Sequence, residues 1–357
     1  MSLAGIGLAS GASLPWVLKF LWAPLVDRLG SRRLWIRICL GLLAVTTAVL
    51  AGADPARHAG QLTLLLLFYV TLSATQDIAI DAYTIETTHG RELGVANSVR
   101  IGAYRGASFI SSALLVWVAA RYGWRSAFLA GAALLALLAA TTLILPSPRR
   151  DSKPPTLAEP IRSLLARPGI WAVVAFALLF KLDVSAMEPM TKPFWVASGF
   201  SLDQIAALTT GRLLATLVGA TLGGVIATRV GIFHALWSLG LVQLMSSLGY
   251  AAAATAAATA AAGKTPITVA ALFENFAAGL GTAAFLAFLM SVCERRYAAT
   301  QFALLSAIFA LSRWVAGLLS GVLAERLGFG SYFLLTFLMG IPAFALLPRV
   351  RHAGVDE

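Results

Sequence analysis

The chain has 357 residues, 59% of them hydrophobic and only 12% charged, with a mean hydropathy of +0.82 and a formal net charge of +11. Soluble domains lie near about 45–50% apolar and about 25% charged residues, so this composition excludes a soluble enzyme or binding module and specifies a membrane protein. The two cysteines, Cys39 and Cys293, sit beside apolar runs with no ligand spacing, which gives no support to a disulfide framework or a zinc site and makes them packing residues.

A helix needs roughly 20 mostly apolar residues to cross the hydrocarbon core. Such runs follow one another at 4–26, 34–53, 62–85, 95–119, 124–146, 169–191, 203–228, 232–258, 266–293, 298–323 and 330–348, eleven in all. The opening "MSLAGIGLASGASLPW" lacks the basic region and cleavage site of a signal peptide. The one long polar connection, rich in proline and charge, predicts a linker over 147–168. It separates a first bundle, 1–146, from a second, 169–357, and "IRSLLA" within it reads as a short surface helix.

The two bundles read as copies of one unit. "DRLGSRRLW" from Asp27 matches "TRVGIFHALW" from Thr228, and "ARYGWRSAFL" from Ala120 matches "ERLGFGSYFL" from Glu325, at offsets that agree within a few residues. In that register the first bundle lacks a partner for the 169–191 helix. Two expectations follow: either in-frame DNA upstream of Met1 encodes a further apolar helix, or an eleven-helix form is genuine. The loops after the odd-numbered spans, with the C-terminal tail, hold most of the loop Arg and Lys, which places the linker and the C-terminus in the cytoplasm. The basic charge therefore gives no reason to invoke nucleic acid.

The first loop, "APLVDRLGSRR", resembles the loop signature of the major facilitator superfamily, with Ala23 where that family usually has Gly and Ser31 interrupting the basic run. Asp27, Arg28, Gly30, Arg32 and Arg33 are its matching residues and form a candidate cytoplasmic gate motif. Asp27 can pair with arginines, and Gly30 permits a tight turn. The alternative is a loop that serves orientation alone. The implied fold is all-α, two related six-helix halves with the first helix missing.

"SATQDIAIDAYTIE", Ser73 to Glu86, brings Gln76, Asp77 and Asp81 into an apolar helix. Asp77 and Asp81 are one turn apart and share a face. A carboxylate facing lipid costs about 2.5–3.5 kcal/mol even on insertion scales, so that face meets a cavity or cations. Arg100 and Arg105, with Tyr104, lie on the next helix and are the expected partners. A purely structural interhelical ion pair is the competing reading. Elsewhere in the spans stand Lys19, Arg212 and Arg313; Lys181, Ser185 and Glu188 share one helical face, Asp183 points away from it, and Glu274 and Asn275 start the ninth span. The glycines of "GATLGGVIA" read as close helix packing, because no Lys-Ser or Lys-Thr follows them.

"SATQDIAIDAYTIE", "ELGVANSVRIGAYRGASFISSALL" and "LPWVLKFLWAPLVDR" together resemble the AmpG-type muropeptide permeases and the related acetyl-CoA transporters, a branch of that superfamily; "KLDVSAMEPMTKPFW" and "TQFALLSAI" match more weakly. The resemblance implies a proton-coupled inner-membrane importer of anionic conjugates that works as a monomer and needs no cofactor. Acids within the spans are then candidates for the coupling proton: Asp77, Asp81, Asp183 and Glu274. Cations and their neighbours are candidates for an anionic substrate: Lys19, Gln76, Arg100, Tyr104, Arg105 and Lys181. A membrane enzyme is disfavoured, since His58, His89, His234 and His352 lie in or beside loops and no nucleophile or metal-ligand constellation is present. Duplicated halves joined by a linker also disfavour a channel. A receptor on the same fold, and a substrate that is a siderophore, a nucleotide conjugate or a drug, remain competing expectations.

Overall fold

The structure is a computed structural model that describes residues 14–53, 59–90, 92–146, 156–258 and 263–351. The start of the expected first span, residues 147–155 of the linker, and His58 and His352 lie outside them. The described residues form helices and their connections, with no strand among them.

The first span is in pieces: α1 (Leu14–Leu18), a 3-10 turn (Lys19–Leu21) and α2 (Ala23–Arg28). Pro24 sits in the first turn of α2, where its missing N–H cannot continue a ladder from the preceding turn. Then come α3 (Arg32–Leu50), α4 (Ala59–Thr87) and α5 (Glu92–Phe109), the last followed by a π-helical turn (Ile110–Leu114) and α6 (Leu115–Thr141). In the linker, α7 (Glu159–Ala166) contains the expected short helix. The expected 169–191 helix divides into α8 (Ile170–Leu179) and α9 (Leu182–Ala197), with Lys181 outside the helical basin at φ −111°, ψ 12°. The chain ends in α10 (Leu202–Val230), α11 (Ile232–Ala258), α12 (Thr265–Val292), a 3-10 turn (Arg295–Tyr297) and α13 (Ala298–Val350).

Among the described residues, nine helical stretches are long and apolar enough to cross a membrane. The expected eleven are not reached on that measure. The first span appears only as short pieces, and α5 carries Glu92, Arg100 and Arg105.

The glycines of the two sequence matches carry the duplication into the backbone. Gly123 interrupts α6 at φ 83°, ψ 160°, and its match Gly328 interrupts α13 at φ 74°, ψ 159°. In the other pair, Gly30 has φ 63° and Gly231 has φ 87°. A side chain is strained in this left-handed region, so the repeat has kept glycine where the chain turns between consecutive spans.

The chain forms two compact units. Unit 1 holds residues 1–87, 106–164 and 293–307; unit 2 holds 88–105, 165–292 and 308–357. Inside unit 2, α5, α10 and α12 approach closely through small residues. A Cβ on Gly219 would collide with the Phe276 carbonyl, and one on Gly224 with Ser98 Oγ and the Gly94 carbonyl. Ser98 Oγ donates to the Ala220 carbonyl at 2.7 Å across this contact. The "GATLGGVIA" glycines are packing residues, as their spacing implied.

Candidate functional site

The two carboxylates of α4 find a lysine. Lys19, placed by the 3-10 turn, is 5% exposed, and its Nζ lies 2.6 Å from Asp77 Oδ2 and 3.9 Å from Asp81 Oδ2. Asp81 is buried, whereas the Asp77 side chain is 32% exposed. Trp22 Nε1, one turn from Lys19, donates to Thr75 Oγ1 at 3.1 Å and ties the same two segments together. Two charges of opposite sign at this distance form a charge-assisted hydrogen bond, while the second carboxylate brings the three groups to an excess of one negative charge. The expected shared face of Asp77 and Asp81 is therefore present. Within unit 1 the cation hydrogen-bonded to Asp77 is Lys19, which the broken first span turns inward. Gln76 is half-buried on the neighbouring face.

At the first loop, Asp27 is fully buried and receives four donors: Arg32 Nη2 at 2.6 Å, the Thr300 N–H at 2.8 Å, the Ala299 N–H at 3.1 Å, and the Thr300 hydroxyl. Its carboxylate thus caps the exposed amides that begin α13, where a helix favours negative charge. Arg32, 2% exposed, also donates from Nε to Glu86 Oε1 at 2.8 Å and from Nη1 to the Val26 carbonyl. Arg33 caps the end of α6 through the carbonyls of Leu145 and Leu143, at 2.7 and 2.9 Å. Arg28 is exposed. Ser31, which interrupts the basic run, is the N-cap of α3 and accepts from the Leu34 N–H.

The linker helix reaches the same junction. Tyr297 donates its hydroxyl to Glu159, Arg296 lies 3.3 Å from that carboxylate, and Ser163 donates to Glu294. The Tyr297 hydrogen bond, followed by the Thr156 amide, holds the Glu159 carboxyl below its usual range.

Unit 2 contains a second buried polar system. Lys181 donates to Gln243 Oε1 and to the Ala278 carbonyl at 3.1 Å, and Gln243 Nε2 lies 3.4 Å from both oxygens of Asp183. All three side chains are nearly sealed, at 3%, 2% and 1% exposed. Asp183, expected on a different face from Lys181, is joined to it through Gln243. Lys181, expected to meet substrate, has its ammonium engaged inside this network. Nearby, Arg212 Nη2 lies 2.7 Å from Glu188 Oε2 and 3.7 Å from the buried Glu274.

On α5, Arg105 stands beside the ring of Tyr104, 5.8 Å from its centroid. Its Nε is buried with no hydrogen-bond partner among the described residues. Tyr104 is 67% exposed and Arg100 half-buried. Gln243 and Thr300 escaped the sequence reading. A glutamine inside the apolar "LVQLMSS" is the only local signal for either of them.

The family model described as Major Facilitator Superfamily matches residues 1–255. The chain belongs to the major facilitator superfamily. It is 32% identical over 366 residues to the anhydromuropeptide permease of Escherichia coli K12, covering 99% of this chain and 74% of that protein. It is 33% identical over 368 residues to an uncharacterized protein of Haemophilus influenzae, covering 97% and 86%. Among solved structures, the E. coli fucose:proton symporter superposes with a TM-score of 0.76 at 12% identity, covering 99% of this chain and 92% of that one, a likeness of fold. As a superfamily member the chain is a multi-pass membrane transporter and not an enzyme, and its AmpG-like sequence segments fall where the superfamily loop and the Lys19, Asp77 and Asp81 cluster lie.

Proposed function

We propose that this transporter imports an anionic conjugate, such as an anhydromuropeptide, across the inner membrane by alternating access, driven by protons. The observation that carries the reading is the 32% identity to the anhydromuropeptide permease over nearly the whole chain. The charges inside the helices support it chemically. Asp77 and Asp81 face one lysine, so a proton can be taken up and released there without stranding Lys19. Asp183 and Glu274 supply a second pair of acids in unit 2. Arg105, whose Nε has no hydrogen-bond partner among the described residues, grips a carboxylate or phosphate of the ligand, and Arg100, Tyr104 and Gln76 are further candidates for contact with it. Lys19 and Lys181 join the ligand only when their present bonds exchange. Alternating access moves the two sequence bundles, 1–146 and 169–357, with the linker and the C-terminus in the cytoplasm and one chain as the working unit.

The test of the anionic substrate is competition. An anhydromuropeptide and its version with amidated carboxylates are compared for binding to the purified protein and to Arg105→Lys. The anionic version wins, and Arg105→Lys weakens it by about ten-fold, the loss of one charge-assisted hydrogen bond. Equal competition by the neutral version, or unchanged affinity in Arg105→Lys, overturns the anionic reading.

A further inference from the structure

Arg212 is one cation placed between two acids of unlike surroundings. Its Nη2 lies 2.7 Å from Glu188, whose side chain is 58% exposed, and 3.7 Å from Glu274, whose side chain is 2% exposed. The three groups come from α9, α10 and α12, so no local sequence requirement brings them together. Asn275 Nδ2 donates to the Glu274 carboxyl at 2.5 Å and holds the buried acid while the guanidinium faces both partners; Thr216 Oγ1, which donates to the Arg212 carbonyl at 2.9 Å, lies 3.3 Å from Asn275 Oδ1. Beneath it, the ring of Trp195 lies 5.1 Å from the guanidinium carbon, Nη1 reaches Thr191 Oγ1 only at 3.5 Å, and Arg212 Nε is buried with no hydrogen-bond partner among the described residues. The plane of the cation therefore rests on an apolar ring, and no bond to Nε pins it against a small lateral displacement.

The charges around the cluster narrow what it can do. Lys181 and Asp183 come from the α8–α9 junction and are joined to each other through Gln243, so neither is available to Glu274 at hydrogen-bond distance. Tyr250 of α11 contributes a buried hydroxyl. A buried carboxylate without its cation is expensive, whereas a buried carboxylic acid is not. The same Nη2 makes its short contact with Glu188 and stands 3.7 Å from Glu274, so closing on the buried acid draws it off the exposed one. When Glu274 is ionised, Arg212 is drawn to it and leaves Glu188 to water, which the exposure of Glu188 allows. When Glu274 holds a proton, Arg212 returns to Glu188.

We infer that Arg212 is the moving element of an ion-pair exchange, shuttling between Glu188 and Glu274 as the buried acid gains and loses a proton. This rests on the proton-driven reading above and adds two residues to it. Arg212 and Glu188 are positioning residues: they convert the protonation of Glu274 into a displacement between α9 and α12. One proton is bound and released per exchange, and no other bond is made or broken.

The experiment needs no substrate. The full chain, labelled with 5-fluorotryptophan and placed in lipid nanodiscs, is followed by 19F NMR through a pH titration. One of the nine tryptophan resonances, that of Trp195, moves between an acid and an alkaline limit. Glu274→Gln holds it at the acid limit, because Arg212 keeps Glu188. Glu188→Gln holds it at the alkaline limit, because Glu274 is the remaining carboxylate partner in the cluster. Opposite locking by the two variants identifies the resonance without a tryptophan substitution, and a merely structural salt bridge would not give it. If no tryptophan resonance titrates, or if the same titration persists in either variant, the exchange is overturned. Proton dependence of uptake is measured separately in the parent protein. Gradient-driven uptake without the NMR exchange overturns this inference alone, and exchange without gradient-driven uptake overturns the proton-driven reading alone.

Discussion

Asp77→Asn abolishes concentrative uptake while leaving the protein folded and expressed. The reason lies in the three-charge cluster. Lys19 has Asp77 at 2.6 Å and Asp81 at 3.9 Å, so neutralising Asp77 still leaves Lys19 a carboxylate within ion-pair range. Asparagine keeps the volume and an acceptor for the ammonium but removes the titratable charge. Stability therefore changes by no more than about 1.5–3 kcal/mol, the range for a hydrogen bond to a charged group. Removing both carboxylates together strands a buried lysine and costs about 3–5 kcal/mol, which separates the coupling role from a purely structural one. In proteoliposomes, Asp77→Asn accumulates no substrate against a gradient but still exchanges labelled for unlabelled substrate. Normal accumulation by a well-folded Asp77→Asn protein would refute the role.

Asp27→Asn loses stability on a larger scale. Four donors converge on Asp27: the Arg32 guanidinium, two amides and the Thr300 hydroxyl. An asparagine must turn its own NH2 toward one of these sets, which sets donor against donor and leaves Arg32, 2% exposed, with Glu86 as its remaining carboxylate partner in this group. Loss of one partner from a buried ion pair costs about 3–5 kcal/mol, and loss of the helix cap adds to that. The thermal midpoint of the purified protein falls accordingly, and cysteine labelling at an engineered Thr300→Cys site, introduced in both backgrounds, becomes faster in Asp27→Asn. Unchanged unfolding and labelling would show that the capping of α13 carries no energy.

The turns and the membrane class were legible because they depend on local chemistry. Gly30, Gly123, Gly231 and Gly328 could be matched by eye, and all four adopt the positive φ that the match requires. Asp77 and Asp81 were legible as expensive charges on one helical face. Their cation was not, because Lys19 turns inward only where Pro24 breaks the first span. The break at Lys181 was not legible: it stands as the N-cap of α9, where its carbonyl accepts the first helical bond from the Ser185 N–H. The Asp27 contacts with Ala299 and Thr300, and the position of Arg212 between Glu188 and Glu274, join residues far apart in the chain. Such pairings follow from packing and leave no trace in periodicity. Ser31 was legible in principle, since a serine before an apolar helical run is an N-cap signal, but the basic loop pattern drew the reading elsewhere.

The most direct measurement of the central claim is uptake of labelled anhydromuropeptide by proteoliposomes containing the purified chain, with an inward proton gradient imposed and then collapsed by a protonophore. The account predicts accumulation above the external concentration while the gradient stands, and its loss on collapse. Absence of anhydromuropeptide uptake, or accumulation that the protonophore leaves intact, would contradict it.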